Sequence, residues 1–341
     1  AAIGAVSAIA LGQIAEAAYF YRRTMKRNNA KVERTMKSLH ALFHLPEACC
    51  SRAPNNNRKD RCNKVERTMK MAGTDWSQYM DFIGERKEAL LAKPREDIYC
   101  RSEDGLKLHA TYIKGKGKDK LVICFHGYTS EGMKDYIGLS GYYLERGYSM
   151  LLVDERAHGE SEGNYIGFGC LDRQDALLWI AWAVRECGED VKILLHGTSM
   201  GGAAVLMASG LKLPAQVKGI ISDCGFTSPK YVFTHVLHSM YHLPAFPVIQ
   251  IADYVNRKKA GYGMDECNAA REVKKAAVPI LLIHGDADTF VPCSMCEEIY
   301  ANCASPKRKV IIKGAAHAES YYKDTAAYEK ALDEFTQELA L

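Results

Sequence analysis

The stretch Ile193-Leu-Leu-His196-Gly197-Thr-Ser199-Met-Gly201-Gly-Ala-Ala204 decides how this chain folds. Three aliphatic residues run into a Gly-x-Ser-x-Gly turn, and the small, apolar segment Met200–Ser209 follows. A short apolar run ending in glycine suits a strand buried on both faces, and the segment after it suits a packed helix. Passing from strand to helix in so few residues forces strained backbone angles on the serine and lifts its hydroxyl clear of the sheet edge. Small residues two before and two after it let neighbouring backbone pass. Met200 opens the helix, so its N–H faces the same space as the serine oxygen, where a helix N-terminus favours developing negative charge.

Outward from this turn the pattern repeats. Short apolar runs occur at Leu121–Phe125, Met150–Val153, Gly219–Ile221, Ile280–Ile283 and Val310–Ile312. Amphipathic stretches at Leu171–Cys187 and Tyr328–Leu341 separate or follow them. Such alternation predicts a mostly parallel sheet with helices on both faces. Asp97–Arg101 and Leu106–Ile113, joined by Glu103-Asp-Gly105, predict a leading antiparallel hairpin. In an open parallel sheet, chemistry gathers at the carboxyl ends of the strands.

The residues at those ends form a coherent set. Ile280–Ile283 leads into His284-Gly-Asp286-Ala-Asp288-Thr-Phe-Val291-Pro292, where two carboxylates stand two apart. Asp288 is preferred over Asp286 as the acid that orients a histidine. The last run leads into Gly314-Ala-Ala-His317, whose small residues allow the imidazole to reach Ser199 as base. The order Ser, Asp, His is the one this strand–turn–helix nucleophile predicts. An acyl-transfer oxyanion needs donors, and the backbone N–H groups of Tyr128, after Phe125-His126-Gly127, and of Met200 are the candidates. His126 is expected to bond loop backbone.

Together these motifs resemble the alpha/beta-hydrolase superfamily over residues 96 to 341. The carrying residues are His126-Gly127, Asp154-Glu-Arg156-Ala-His158-Gly-Glu-Ser161, Gly197-Thr-Ser199-Met-Gly201, Ser222-Asp-Cys-Gly225, His284-Gly-Asp-Ala-Asp288 with Val291-Pro292, and Gly314-Ala-Ala-His317. The branch they look like is the serine-aminopeptidase-like hydrolases, including bacterial members with an N-terminal membrane anchor. The resemblance implies an α/β fold with a helical lid between the sixth and seventh strands. It places the acid on Asp288 and gives the Asp154–Ser161 loop a mainly structural role.

About fifty residues separate Gly225 from Ile280, long for an α/β connection. Ser228–Lys259 is expected to form helices capping the site, within a lid at about 226–275, and its aromatic and aliphatic residues suit an apolar acyl or aryl group. Two substrates fit: a small-molecule carboxylic ester, or a short peptide whose amine would need a carboxylate such as Asp253, Asp265 or Glu266. A non-catalytic binding protein on a hydrolase fold is the alternative of another class. No cofactor motif is present; Gly201-Gly202 lacks the wider dinucleotide frame.

The N-terminal part is of different character. Residues 1–21 are apolar and Ala-rich, followed by Arg22, Arg23, Lys26 and Arg27, which predicts a membrane-anchoring helix with the catalytic domain in the cytoplasm. Residues 22–75 read as a basic linker. Between 22 and 70 there are 14 Lys/Arg against 4 Asp/Glu, so the remainder of this +4 chain is mildly acidic and nucleic acid is not an expected partner. Lys31-Val-Glu-Arg-Thr-Met-Lys37 recurs verbatim as Lys64–Lys70, marking an inserted or duplicated segment. The hydrolase domain is expected over 76–341. The 12 cysteines are scattered, suiting free thiols in a reducing compartment, and Cys293-Ser-Met-Cys296 without a second pair does not make a metal site.

Overall fold

The computed structural model describes residues 74–117 and 119–341. The expected segments 1–21 and 22–73, with the repeated heptad, lie outside them. Among the described residues no helix is long and apolar enough to cross a membrane.

Eight strands of the described residues form one sheet in the order β1-β2-β4-β3-β5-β6-β7-β8. They are β1 Glu96–Arg101, β2 Lys107–Ile113, β3 Lys120–Phe125, β4 Ser149–Asp154, β5 Lys192–Thr198, β6 Val217–Asp223, β7 Ile280–Gly285 and β8 Lys307–Ile312. The hairpin β1–β2 pairs antiparallel with register Glu96 to Tyr112, and β2 lies antiparallel to β4. All later pairs are parallel. Each apolar run of the sequence lies inside one of these strands. β4 and β7 are buried along their whole length. The last run departs from the expectation of burial on both faces: β8 is an edge strand, and Ile311 is 37 % exposed. Lys307, Arg308 and Lys309 supply the charge that blunts such an edge.

The helices are α1 Met80–Leu91, α2 Gly132–Asp135, α3 Ile137–Glu145, α4 Asp172–Cys187, α5 Met200–Ala208, α6 Pro229–Ser239, α7 Ala245–Lys259, α8 Ala269–Glu272, α9 Cys293–Asn302, α10 Ser320–Lys323 and α11 Thr325–Glu338. Two apolar cores result. One gathers Trp179 of α4, Met200 to Ala208 of α5 and Val232, Phe233 and Val236 of α6. The other gathers Leu90, Tyr136, Tyr143, Tyr328, Leu332 and Phe335. Each fully buried Leu or Phe of such a core contributes about 1.5–3 kcal/mol relative to exposure.

Two boundaries differ from the sequence reading. The C-terminal helix starts at Thr325, three residues before Tyr328, because the Asp324 carboxylate caps the Ala327 N–H. The folded body begins before residue 76. Thr74 is buried, and the Asp75 carboxylate caps a 3-10 helix at Trp76–Tyr79 by accepting from the Ser77 N–H. Between β6 and β7 stand α6 and α7, on the residues expected for a lid. Ser228 caps α6, with Pro229 in its first turn. All nine described cysteines are free.

Candidate active site

Ser199 sits between β5 and α5 at φ 54°, ψ −109°, a conformation that costs a non-glycine residue about 1–3 kcal/mol and aims its side chain off the sheet. Its N–H bonds the Asp223 carbonyl at 2.8 Å, anchoring the turn to β6. The flanking glycines are required by space. A Cβ on Gly197 would come 2.1 Å from the Gly201 carbonyl oxygen, and one on Gly201 would come 2.0 Å from that of Phe125.

Ser199 Oγ lies 2.8 Å from His317 Nε2, and His317 Nδ1 lies 2.7 Å from Asp288 Oδ2. These residues follow β5, β8 and β7, so the sheet order brings together groups 29 to 118 positions apart. The Asp288 side chain is fully buried, and its Oδ1 accepts from the N–H groups of Phe290 and Val291 at 2.9 and 2.8 Å. Burial alone would push the Asp288 carboxyl up. The charge of His317 and the hydrogen bonds from His284 and His317 outweigh it and hold the group well below the usual carboxylate range. Asp286, the other candidate, is exposed; it accepts the Gly314 N–H at 2.5 Å and braces the turn ahead of His317.

Of the two expected oxyanion donors, Met200 follows Ser199 directly, and Tyr128 follows Gly127, on which a Cβ would lie 3.5 Å from Ser199 Cβ. The neighbouring amides are engaged: Gly127 N–H donates to Asp135, Thr129 N–H to His158 Nε2 and Gly201 N–H to the His126 carbonyl. Among the loop and cap hydrogen bonds of the described residues, the Tyr128 and Met200 N–H groups have no acceptor. His126 bonds loop backbone as expected. Its Nδ1 donates to the Gly127 carbonyl at 2.6 Å and its Nε2 accepts from Glu155 N–H at 3.0 Å, while burial pushes the ring down to about 4 and keeps it neutral. Asp154 likewise accepts from the Gly132 and Glu160 N–H groups.

Four supports had not been assigned a role from the sequence. Asp135 receives the Gly127 N–H at 2.6 Å and so holds the Tyr128 loop. Thr74 Oγ1 donates to the His317 carbonyl at 2.8 Å across a separation of 243 residues. Glu319 accepts the Ala316 N–H at 2.8 Å and the Tyr79 hydroxyl at 2.7 Å. His284 Nε2 lies 2.8 Å from the Val291 carbonyl and 3.4 Å from Asp288 Oδ2, so a second imidazole bears on the acid. Only the last had a sequence signal, its place in the His-Gly-x-x-Asp motif.

α6 touches the turn that carries Asp288. His235 Nε2 donates to the Thr289 carbonyl at 3.0 Å, beside Asp288. The Phe233 ring meets Phe168 edge-on at 5.0 Å, and Phe168 stacks on Tyr128 at 5.4 Å. Phe290 lies 4.9 Å from the His317 ring. Phe233, Phe168 and Tyr128 thus form a connected aromatic row packed on the core, and Phe290 lies against the histidine.

The model of the X-Pro dipeptidyl-peptidase family (S15) matches residues 51–249, more than half of the chain. That of the prolyl oligopeptidase family matches residues 171–339. The chain belongs to the alpha/beta-hydrolase superfamily. By the longer match it belongs to the X-Pro dipeptidyl-peptidase family within it, while the prolyl oligopeptidase match overlaps that one over 171–249. This hydrolase is 29 % identical over 217 residues to the uncharacterized protein YqkD of Bacillus subtilis, covering 63 % of its own length and 70 % of the relative's. It is 24 % identical over 232 residues to the uncharacterized protein YfhR of Escherichia coli K12, covering 66 % and 74 %. Among solved structures it is similar to the Pyrococcus furiosus esterase Pf2001, with a TM-score of 0.60 at 22 % identity over 73 % of this chain and 93 % of that one. It is also similar to the Exiguobacterium antarcticum esterase, with a TM-score of 0.52 at 15 % identity over 71 % and 100 %. At these identities the structural likeness speaks to the fold. The alpha/beta hydrolase described here is a serine hydrolase, of esters or peptides.

Proposed function

We propose that this hydrolase cleaves carboxylic esters through an acyl-enzyme. The observation that carries the reading is the continuous relay Ser199–His317–Asp288 at 2.8 and 2.7 Å. With Nδ1–H directed at Asp288, His317 presents a free Nε2 lone pair to the serine hydroxyl. Ser199 Oγ attacks the ester carbonyl as Nε2 takes its proton, and Asp288 stabilises the imidazolium that results. The Tyr128 and Met200 N–H groups receive the oxyanion, aided by the N-terminus of α5. The imidazolium then protonates the leaving alcohol. A water, deprotonated by His317, releases the acid and restores Ser199.

The Phe290 ring against His317, and the aromatic row Tyr128–Phe168–Phe233 that starts at the loop after Gly127, support an apolar acyl group. The carboxylates suggested for holding a peptide amine are committed elsewhere. Asp253 pairs with Arg257 at 2.9 Å, Asp265 faces Arg271 at 3.5 Å, and Glu266 accepts the Gly263 N–H at 2.9 Å. The match to two peptidase families supports the second reading, cleavage of short peptides by the same relay. Membrane attachment through residues 1–27 is also part of this proposal, on the apolar and basic character of that stretch.

The test is a rate panel on the full chain, p-nitrophenyl esters of increasing acyl length against aminoacyl and dipeptidyl nitroanilides, with Ser199→Ala as blank. Ester turnover that vanishes in Ser199→Ala supports the reading. Ser199-dependent anilide turnover with inert esters replaces it by the peptidase.

A further inference from the structure

Behind the relay lies a thiol for which the hydrolytic reading has no task. Cys224 follows β6 directly, in the left-handed region at φ 45°. Its N–H bonds the Ile283 carbonyl at 2.9 Å, which pins it between the carboxyl ends of β6 and β7. Its side chain is buried. One donor atom each of Cys224, Asp288 and His317 lie within 4.8 Å of one another. The three come off β6, β7 and β8, which are adjacent in the sheet, so the same order that assembles the relay places a sulfur beside it.

We propose that Cys224, Asp288 and His317 form an inhibitory site for a thiophilic divalent cation, with Zn²⁺ the ion whose chemistry fits. Sulfur, imidazole nitrogen and carboxylate oxygen are the donors zinc accepts, and three protein ligands leave one position for water. A thiolate and a carboxylate together balance the ion's charge. Harder cations such as Mg²⁺ gain little from a sulfur ligand.

The proton balance explains why occupancy stops turnover. In the relay His317 keeps its proton on Nδ1, toward Asp288, and accepts at Nε2, toward Ser199. A cation bound at Nδ1 moves that proton to Nε2, and the Cys224 thiol gives its own to solvent. One proton leaves per ion bound, and no electron changes hands. His317 then carries a hydrogen where it must accept one, so Ser199 loses its base. The loss of rate rests on the catalytic reading above; the binding of the ion does not.

The experiment uses the full chain with Zn²⁺ at buffered free concentrations and Co²⁺ as a spectroscopic probe. Ester rates are measured for the wild type, Cys224→Ser and Cys224→Ala, each relative to its own zinc-free rate. The wild type is expected to lose activity reversibly, with EDTA restoring it. Both variants should need about tenfold or more free zinc for the same loss. Co²⁺ should give a thiolate-to-metal charge-transfer band that disappears in both variants. Equal zinc sensitivity of Cys224→Ala, or a cobalt band that survives that substitution, overturns the site. A Cys224-dependent cobalt band without loss of rate keeps the metal site, but overturns its inhibitory role and His317 as base.

Discussion

Asp288→Asn isolates the role of the acid, because the asparagine has the same shape and the aspartate's contacts are fully specified. Asp288 Oδ1 accepts two backbone N–H groups at 2.9 and 2.8 Å, and an amide oxygen does the same. That fixes the amide NH₂ at the position of Oδ2, 2.7 Å from His317 Nδ1. A donor there requires Nδ1 to accept, so the imidazole proton moves to Nε2, which faces Ser199 Oγ at 2.8 Å. The histidine is then in the wrong tautomer to receive the serine proton, and the imidazolium formed in the transition state loses its counter-charge. For a relay of this kind the loss in kcat is about 10⁴-fold, or about 5 kcal/mol in the barrier. Asp286→Asn is the control. Its oxygen braces only the Gly314 N–H, and an amide oxygen still accepts, so kcat should stay within about tenfold of wild type, the cost of one ordinary hydrogen bond. The assay is kcat on a p-nitrophenyl ester for the three proteins, with melting temperatures to establish that all are folded. An Asp288→Asn rate within tenfold of wild type, or an Asp286→Asn loss as large as that of Asp288→Asn, refutes the assignment.

Three further outcomes follow from the same geometry. The folded-state pKa of Asp288 is depressed, so its ionic contribution to stability is fully present above the ordinary carboxylate value of about 4 and fades as pH falls below it; the stability advantage of wild type over Asp288→Asn, measured by denaturant melts, should therefore shrink on acidification, and a gap that widens contradicts the shift. Gly201→Ala places a Cβ against the Phe125 carbonyl and should destabilise by about 1–3 kcal/mol, read as a lowered melting temperature; an unchanged melt would show that the turn has slack. Thr74→Val removes the hydroxyl that holds the His317 carbonyl and should cost about 0.5–1.5 kcal/mol of stability with a lowered kcat, whereas full activity and full stability would detach the N-terminal segment from the site.

Much of the architecture follows from local pattern. Hydrophobic runs such as Leu121–Phe125 and Ile280–Ile283 announce buried strands, because a strand covered on both faces must be apolar at every position. The spacing Gly197, Ser199, Gly201 announces the tight strand-to-helix turn at Ser199, because the close backbone approaches there leave no volume for a side chain. The chain order of Ser199, Asp288 and His317 follows from the strands they terminate. Other features depend on groups distant in sequence. Asp286 and Asp288 are equivalent in composition and differ by two positions; the turn aims one at Gly314 and the other at His317. Asp135, Thr74 and Glu319 bear no motif, and only packing reveals that they hold the Tyr128 and His317 loops. Val310–Ile312 is as apolar as the central runs, yet β8 is an edge, because edge position depends on strand order and, among the described residues, no strand pairs beyond it. Cys224 beside the relay is of the same kind. The sequence by itself determined the strands, the turns and the residue types at their ends, since these depend on steric and solvation preferences within a few residues. Only the tertiary structure decided which of those ends share one space, since strand order sets distances between groups a hundred or more residues apart.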